Sequence, residues 1–247
     1  VDGHVQIEGL LEKRDRPLVQ RRSPEIVHAE RAHENDAHPG LVPLAMGEVR
    51  FRAPYDDPGM LEGLEGFSHV WLTFQFHQCV SEGWRARVRP PRLGGNKTVG
   101  VWASRSPYRP NFLGLSVVRL LEVVTSPAPL LRVAGVDLLD GTPVVDIKPY
   151  LPYSDALRDA HGGFADRAPD PALSVRFVPQ AETDCAAIAS SISLRELIIQ
   201  VLALDPRPAY RQGAEPGRRY GMRLAGCEVQ WRVTGEGVEV LAVRPLD

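Results

Sequence analysis

From Met46 to Lys148 the chain offers one strand-like segment after another, and nothing between them carries an apolar helical period long enough for a crossover helix. That property narrows the fold more than any other, because parallel sheets need such helices and antiparallel sheets do not. Met46–Arg52 alternates, and Phe67–Phe76 (FSHVWLTFQF) is an aromatic, β-branched run of the kind buried strands use. Thr98–Ala103, Leu113–Val124 and Leu130–Leu139 extend the series. Asp140-Gly141 reads as the turn of a hairpin joining Val133–Leu139 to Thr142–Lys148. The expected fold is mainly β, with an antiparallel β-barrel over residues 41–150. Twenty-two prolines and 22 glycines also favour turns over long helices.

The flanks read differently. Residues 1–40 are poor in apolar residues, hold four of the seven histidines, and sustain no period of 2 or 3.6. They are expected to form a divergent N-terminal segment without a convincing first strand. Residues 151–171, rich in Pro, Asp and Gly, read as a connecting loop. Beyond it, Ser193 with Glu196 spells a capping box, and Leu194, Leu197, Ile198, Val201 and Leu202 make one helical stripe. Asp205-Pro206 ends that helix. Glu228–Val233 and Val238–Val243 flank Thr234-Gly235-Glu236-Gly237 as a second hairpin, so residues 172–247 are expected to be a smaller α+β C-terminal domain.

Several function classes lose support. No apolar run approaches the roughly 18 residues a membrane helix needs, and Val1 to Arg16 is too charged for a signal peptide. Cys79, Cys185 and Cys227 lie far apart and form no Cys-x-x-Cys pair, which argues against zinc or disulfides and for the reducing cytoplasm. No G-x-G-x-x-G opens a helix, no His-x-x-x-His suggests a metal site, and no G-x-S-x-G elbow is present.

The net charge of −2 conceals segregation. Between Gly83 and Leu121 the chain carries Arg85, Arg87, Arg89, Arg92, Lys97, Arg105, Arg109 and Arg119 with no acid. A second basic stretch holds Arg207, Arg211, Arg218, Arg219 and Arg223 against Glu215. With Trp84, Trp102, Tyr108, Tyr210 and Tyr220 interleaved, these stretches suit a nucleic acid whose unpaired bases stack on rings while arginines hold phosphates. A one-sided solvated surface is the plain alternative. Pro107 and Pro110 stiffen the loop that carries Arg105 and Arg109, which prepares an arginine to clamp a carboxylate or phosphate. Both arginines could equally pair with nearby acids.

Five segments in order resemble the TsaA-like, or TrmO, family: Phe67-Ser68-His69-Val70-Trp71 with Phe76-His77, RPPRLGGN (89–96), ASRSPYRPN (103–111) with Gly114-Leu115-Ser116, DLLDGTPVVDIKPYLPYSDA (137–156) and DPRPAYR (205–211). The resemblance runs from about Gly40 to the C-terminus. It implies a β-barrel that binds S-adenosyl-L-methionine, and a methyltransferase acting on the adenosine just 3′ of the tRNA anticodon. By the same resemblance, His77, Gln78, Arg105, Leu115, Ala134, Gly135, Val136 and Asp137 match cofactor positions. Arg109, Arg207, Tyr210 and Arg211 are the expected RNA contacts, and a homodimer is implied. Asp137 is also the candidate proton acceptor, alongside water or the substrate's own carboxylate.

The expected reaction moves a methyl group onto the exocyclic amine of threonylcarbamoyl-adenosine at tRNA position 37. One departure matters: where the family has Arg-Gln before Pro39-Gly40-Leu41-Val42, this chain has Ala37 and His38. The competing expectation is therefore a non-catalytic tRNA- or cofactor-binding homologue, weakened by its N-terminal segment. His69 reads as a satisfied strand-end histidine. Tyr150 and Tyr153 suit either core packing or base stacking.

Overall fold

The computed structural model describes residues 19–22, 42–93, 97–167, 173–188, 193–207 and 218–246. Its strands are β1 (Val19–Arg22), β2 (Met46–Phe51), β3 (His69–Gln75), β4 (Arg87–Val88), β5 (Val99–Gly100), β6 (Leu113–Val124), β7 (Leu130–Ala134), β8 (Pro143–Pro149), β9 (Val175–Phe177), β10 (Arg219–Leu224), β11 (Cys227–Thr234) and β12 (Gly237–Pro245). The helices are α1 (Pro152–Asp155), α2 (Pro179–Ala187) and α3 (Leu194–Ala203).

Six strands close a barrel in the order β1-β2-β7-β6-β3-β8, and every pairing within it is antiparallel. Period-2 alternation drives the closure. In β3, Val70, Leu72 and Phe74 point into the core, at 4% exposure or less, while His69, Trp71, Thr73 and Gln75 face outward. Leu131, Val133, Val118, Val144 and Val49 fill the same interior. Gly114 on β6 stands opposite Phe74, and a Cβ there would lie 2.3 Å from the Phe74 ring. Only glycine lets that ring occupy the interior.

The structure corrects two expectations about the barrel. A first strand exists: β1 pairs with β2 from Val19↔Phe51 to Arg22↔Glu48, and with β8 at Val19↔Val144 and Gln20↔Pro143. Val-Gln-Arg-Arg has almost no apolar signal of its own, so partners on both sides define the strand. The second correction concerns Asp140-Gly141. Thr142 N–H does donate to the Leu139 carbonyl at 3.2 Å, and Gly141 takes φ +75°, so the turn is real. It does not make a hairpin, because β7 neighbours β2 and β6 whereas β8 neighbours β1 and β3. The chain leaves β7 at Ala134, turns at Gly135 (φ +75°), and crosses one end of the barrel. The expected strand at Thr98–Ala103 likewise shortens to Val99–Gly100, followed by a 3-10 turn over Val101–Ala103.

A second sheet, ordered β10-β11-β12-β9, joins β9 to β12 in parallel and the rest antiparallel. The β11–β12 pair is the hairpin expected around Thr234–Gly237. The apolar stripe of α3 is buried, with Leu194, Leu197, Ile198 and Leu202 at 4% exposure or less. Ser193 is its N-cap, yet the hydroxyl makes no capping bond, so the expected capping box is not formed. This second core also takes in Val42 and Ala45, from the segment that leads into β2. Leu44 N–H donates to the α3 residue Gln200 through Oε1, at 3.3 Å.

Candidate active site

Antiparallel pairing gathers particular strand ends at one rim of the barrel. β3 ends there at Gln75, opposite the start of β6 at Leu113. Phe76 N–H donates to the Phe112 carbonyl at 2.7 Å, which fixes His77 and Gln78 just beyond this junction. Leu115, half exposed, lies two positions along β6 from Leu113 and is directly opposite Thr73. β7 arrives from the other side: Ala134 pairs with Met46 and with Arg119, and Val136 N–H donates to the Ala45 carbonyl at 3.1 Å. Gly135 and Val136 are buried, and the following Asp137 accepts from the Ser116 hydroxyl at 3.1 Å. Pairing thus sets His77 and Gln78 just beyond the start of β6 and brings Asp137 to Ser116 of the same strand, while Ala134 lies level with Arg119, nearer the other end of β3.

Arg105 belongs to the loop that enters β6 at this rim. The loop is built by its own side chains. Ser104 N–H and Oγ both donate to the Val101 carbonyl, at 3.2 and 2.9 Å. Arg109 Nη1 donates to the carbonyls of Ser104 (2.6 Å) and Val101 (3.3 Å), and its guanidinium lies 5.2 Å from the Trp102 ring centroid. Burial pushes the Arg109 guanidinium below its ordinary value. Tyr108 is buried under Arg85, which stacks 3.7 Å from its ring centroid, and its hydroxyl donates to Glu82 at 3.0 Å. Desolvation, then the Glu82 carboxylate, raise the Tyr108 phenol above its usual range. Arg105, by contrast, is exposed and has no hydrogen bond or ion pair among the described residues.

Beside this loop opens a cleft of about 880 Å³. Arg85, Arg87, Arg89, Arg92 and Arg105 line it together with Trp102, Tyr108 and Phe164, and no carboxylate lines it among the described residues. His77, Gln78, Leu115 and Ala134–Asp137 are not part of its wall. Arg105 is thus the candidate residue shared between the rim and the cleft.

Two expected RNA contacts have other work in this structure. Arg109 ties down the loop, as described. Arg207 is 8% exposed and holds both Asp205 carboxylate oxygens at 2.7 Å, so its guanidinium is spent within the fold. Asp205, its partner, sits at φ +49°, a backbone geometry that turns the chain after α3. Tyr210, Arg211, Ala37 and His38 lie outside the described residues. His69 accepts or donates a 2.9 Å bond with the Ser68 hydroxyl and packs edge-on against Tyr150, which also packs on Trp71. Tyr153 is 87% exposed.

The profile of the tRNA-methyltransferase O N-terminal domain matches residues 28–156, and that of the TrmO C-terminal domain matches residues 170–246. The chain belongs to the tRNA-methyltransferase O family. It is 48% identical over 209 residues to a tRNA (adenine(37)-N6)-methyltransferase of Escherichia coli, covering 84% of this chain and 89% of that protein. A putative S-adenosylmethionine-dependent methyltransferase, RcsF, of Pseudomonas aeruginosa is 51% identical over 195 residues, 78% of this chain and 82% of its own length. The crystal structure of TrmO from P. aeruginosa superposes with a TM-score of 0.75 at 39% identity, over 93% of this chain and 95% of that one.

Seen as a TrmO-family rim, the site contains one residue that the sequence did not single out for chemistry. Ser116, 2% exposed, bonds Asp137 across the β6–β7 junction. Only the fold reveals that partnership: Ser116 lies on β6 and Asp137 in the segment that follows β7, with no motif linking them.

Proposed function

We propose that this chain transfers the methyl group of S-adenosyl-L-methionine to the exocyclic amine of adenosine 37 in tRNA, and that its acceptor base carries a threonylcarbamoyl group. The observation that supports the reading is a barrel of this family in which Asp137 bonds Ser116 of β6 and the Arg105 loop leads into that same strand. The residues present suit the donor. An uncommitted guanidinium at Arg105 matches a carboxylate, the outward Leu115 offers an apolar surface, and Asp137 supplies acceptor oxygens for hydroxyl or ammonium groups.

When bound, S-adenosyl-L-methionine supplies an electrophilic methyl group on a cationic sulfur. The protein's share is positioning and proton management. Arg105 would hold one end of the donor and the Gly135 turn would shape the rim, so that the acceptor amine could be positioned against the methyl group. Asp137, oriented by the Ser116 hydroxyl, holds an acceptor oxygen at the rim and is the side chain we assign to receive the amine proton. Water and the substrate carboxylate are its competitors for that role. We extend the reading to a cytoplasmic homodimer; no helix among the described residues is long and apolar enough to cross a membrane.

Transfer of labelled methyl to two tRNA preparations tests the proposal, one carrying threonylcarbamoyl-adenosine and one unmodified. Incorporation into the modified tRNA alone is expected. Equal incorporation into both would remove the threonylcarbamoyl requirement, and none into either would favour the binding-only homologue. The presence of β1 removes one of the two grounds for that alternative.

A further inference from the structure

Three of the five arginines in the cleft are already engaged. Arg85 bonds Glu82 at 2.9 Å and covers Tyr108, Arg87 bonds the Thr98 hydroxyl at 2.7 Å, and Arg92 donates to the Arg167 carbonyl at 2.6 Å. Arg89 and Arg105 have no hydrogen bond or ion pair among the described residues. If the donor's carboxylate takes Arg105, Arg89 is left as the cation without a partner among the described residues, in a recess whose described lining holds no carboxylate.

Trp102 supplies the second observation. It is 70% exposed, which is a large apolar surface to leave in water. It is nevertheless held in place. The ring stands on the 3-10 turn Val101–Ala103, whose flanking carbonyls are pinned by Arg109, and the same guanidinium lies against the indole at 5.2 Å. Phe164, 42% exposed and contributed by a separate segment, lines the same cleft. A braced, open indole beside a free guanidinium is the pairing that unpaired nucleotides use: a ring face for the base and a cation for an anionic oxygen.

We propose that Trp102 and Arg89 form a nucleotide subsite of the cleft, in which Trp102 stacks an unpaired base of the RNA acceptor and Arg89 holds an anionic oxygen beside it. That oxygen belongs to a backbone phosphate or to a carboxylate on a modified base; both present the same charge to the guanidinium. The inference rests on the tRNA reading above. It assigns the RNA contact to Trp102 and Arg89, with Arg109 bracing the indole from within the fold and Arg207 held by Asp205.

The test measures binding, without turnover. Wild type, Trp102→Ala, Trp102→Phe and Arg89→Ala are titrated with modified and unmodified anticodon stem-loops by filter binding, and with S-adenosyl-L-methionine alone by calorimetry. Trp102→Ala should lose roughly tenfold or more in RNA affinity, from the usual worth of one stacked base, while Trp102→Phe keeps most of it. Donor affinity should stay constant in all three variants. Arg89→Ala should weaken RNA binding, equally for both stem-loops if it holds a phosphate, and only for the modified one if it holds a carboxylate. Wild-type RNA affinity in Trp102→Ala or in Arg89→Ala would overturn the subsite, as would a donor affinity that falls in step. Failure of the methyl-transfer reading would show separately, as a wild-type protein that binds RNA in this way without incorporating label.

Discussion

A guanidinium can brace a fold or meet a ligand, and the loop from Ser104 to Asn111 separates those uses within four positions. Arg109 is desolvated and bonded to two backbone carbonyls; Arg105 is exposed and has no partner among the described residues. Replacing Arg105 with Ala should therefore cost one charge-assisted interaction, about 1.5–3 kcal/mol, read as a roughly tenfold to hundredfold weaker Kd for S-adenosyl-L-methionine. Circular dichroism and thermal unfolding should stay unchanged. A variant that binds the donor like wild type would remove Arg105 from the cofactor site. The sequence made both arginines legible as candidates, because basic residues between prolines stand out. It could not divide them, since the carbonyls that engage Arg109 are backbone groups present at every position. Arg207 was hidden for a related reason: its carboxylate partner is only two residues away, but the pair forms because Asp205 adopts a left-handed backbone.

The strands were legible wherever side chains alternate, as in β3 and β6, and illegible where pairing alone defines them, as in β1. Gly114 shows how tightly one element constrains another. Gly114→Ala would drive a methyl group into the Phe74 ring, and overpacking of this kind costs about 1–3 kcal/mol. Urea unfolding should report that loss, and Gly114→Ala combined with Phe74→Leu should recover part of it. The segment after β8 makes a different prediction. The Asp155 carboxylate accepts from Leu151 N–H and from the Trp71 indole, and these bonds hold it below the usual carboxylate range. A depressed folded value means its stabilisation is fully present above the unfolded value, roughly pH 4, and is lost as pH falls through the folded value. The difference in urea midpoint between wild type and Asp155→Asn should be constant above about pH 5 and shrink below about pH 4. A difference that persists unchanged in acid would mean the carboxylate charge is irrelevant there.

At the scale of the molecule, the barrel and the second sheet share a hinge of packing that the sequence did not advertise. A boundary drawn at residue 41 places Val42–Ala45 with the barrel, whereas Val42 and Ala45 bury their side chains in the second core. Composition changes sharply near Tyr150, but the element that stitches the two cores together precedes the barrel strand β2. Leu197→Ala should therefore destabilise by about 2–5 kcal/mol, and amide exchange in β2 and β7 should accelerate together with that in β11 and β12. Acceleration confined to the second sheet would show that the cores open independently.

Among the described residues, β1 meets β8 at Val19↔Val144 and Gln20↔Pro143, a seam that joins chain segments from opposite ends of the barrel sequence. On a growing chain, β1 can meet β2 early, but it must wait for Val144 and Pro143 before the ring can shut. Until then β3 and β6 can pair while both open edges stay exposed to other nascent chains. This seam closes the longest loop among the barrel pairings, so the entropy of closing it places ring closure late in folding.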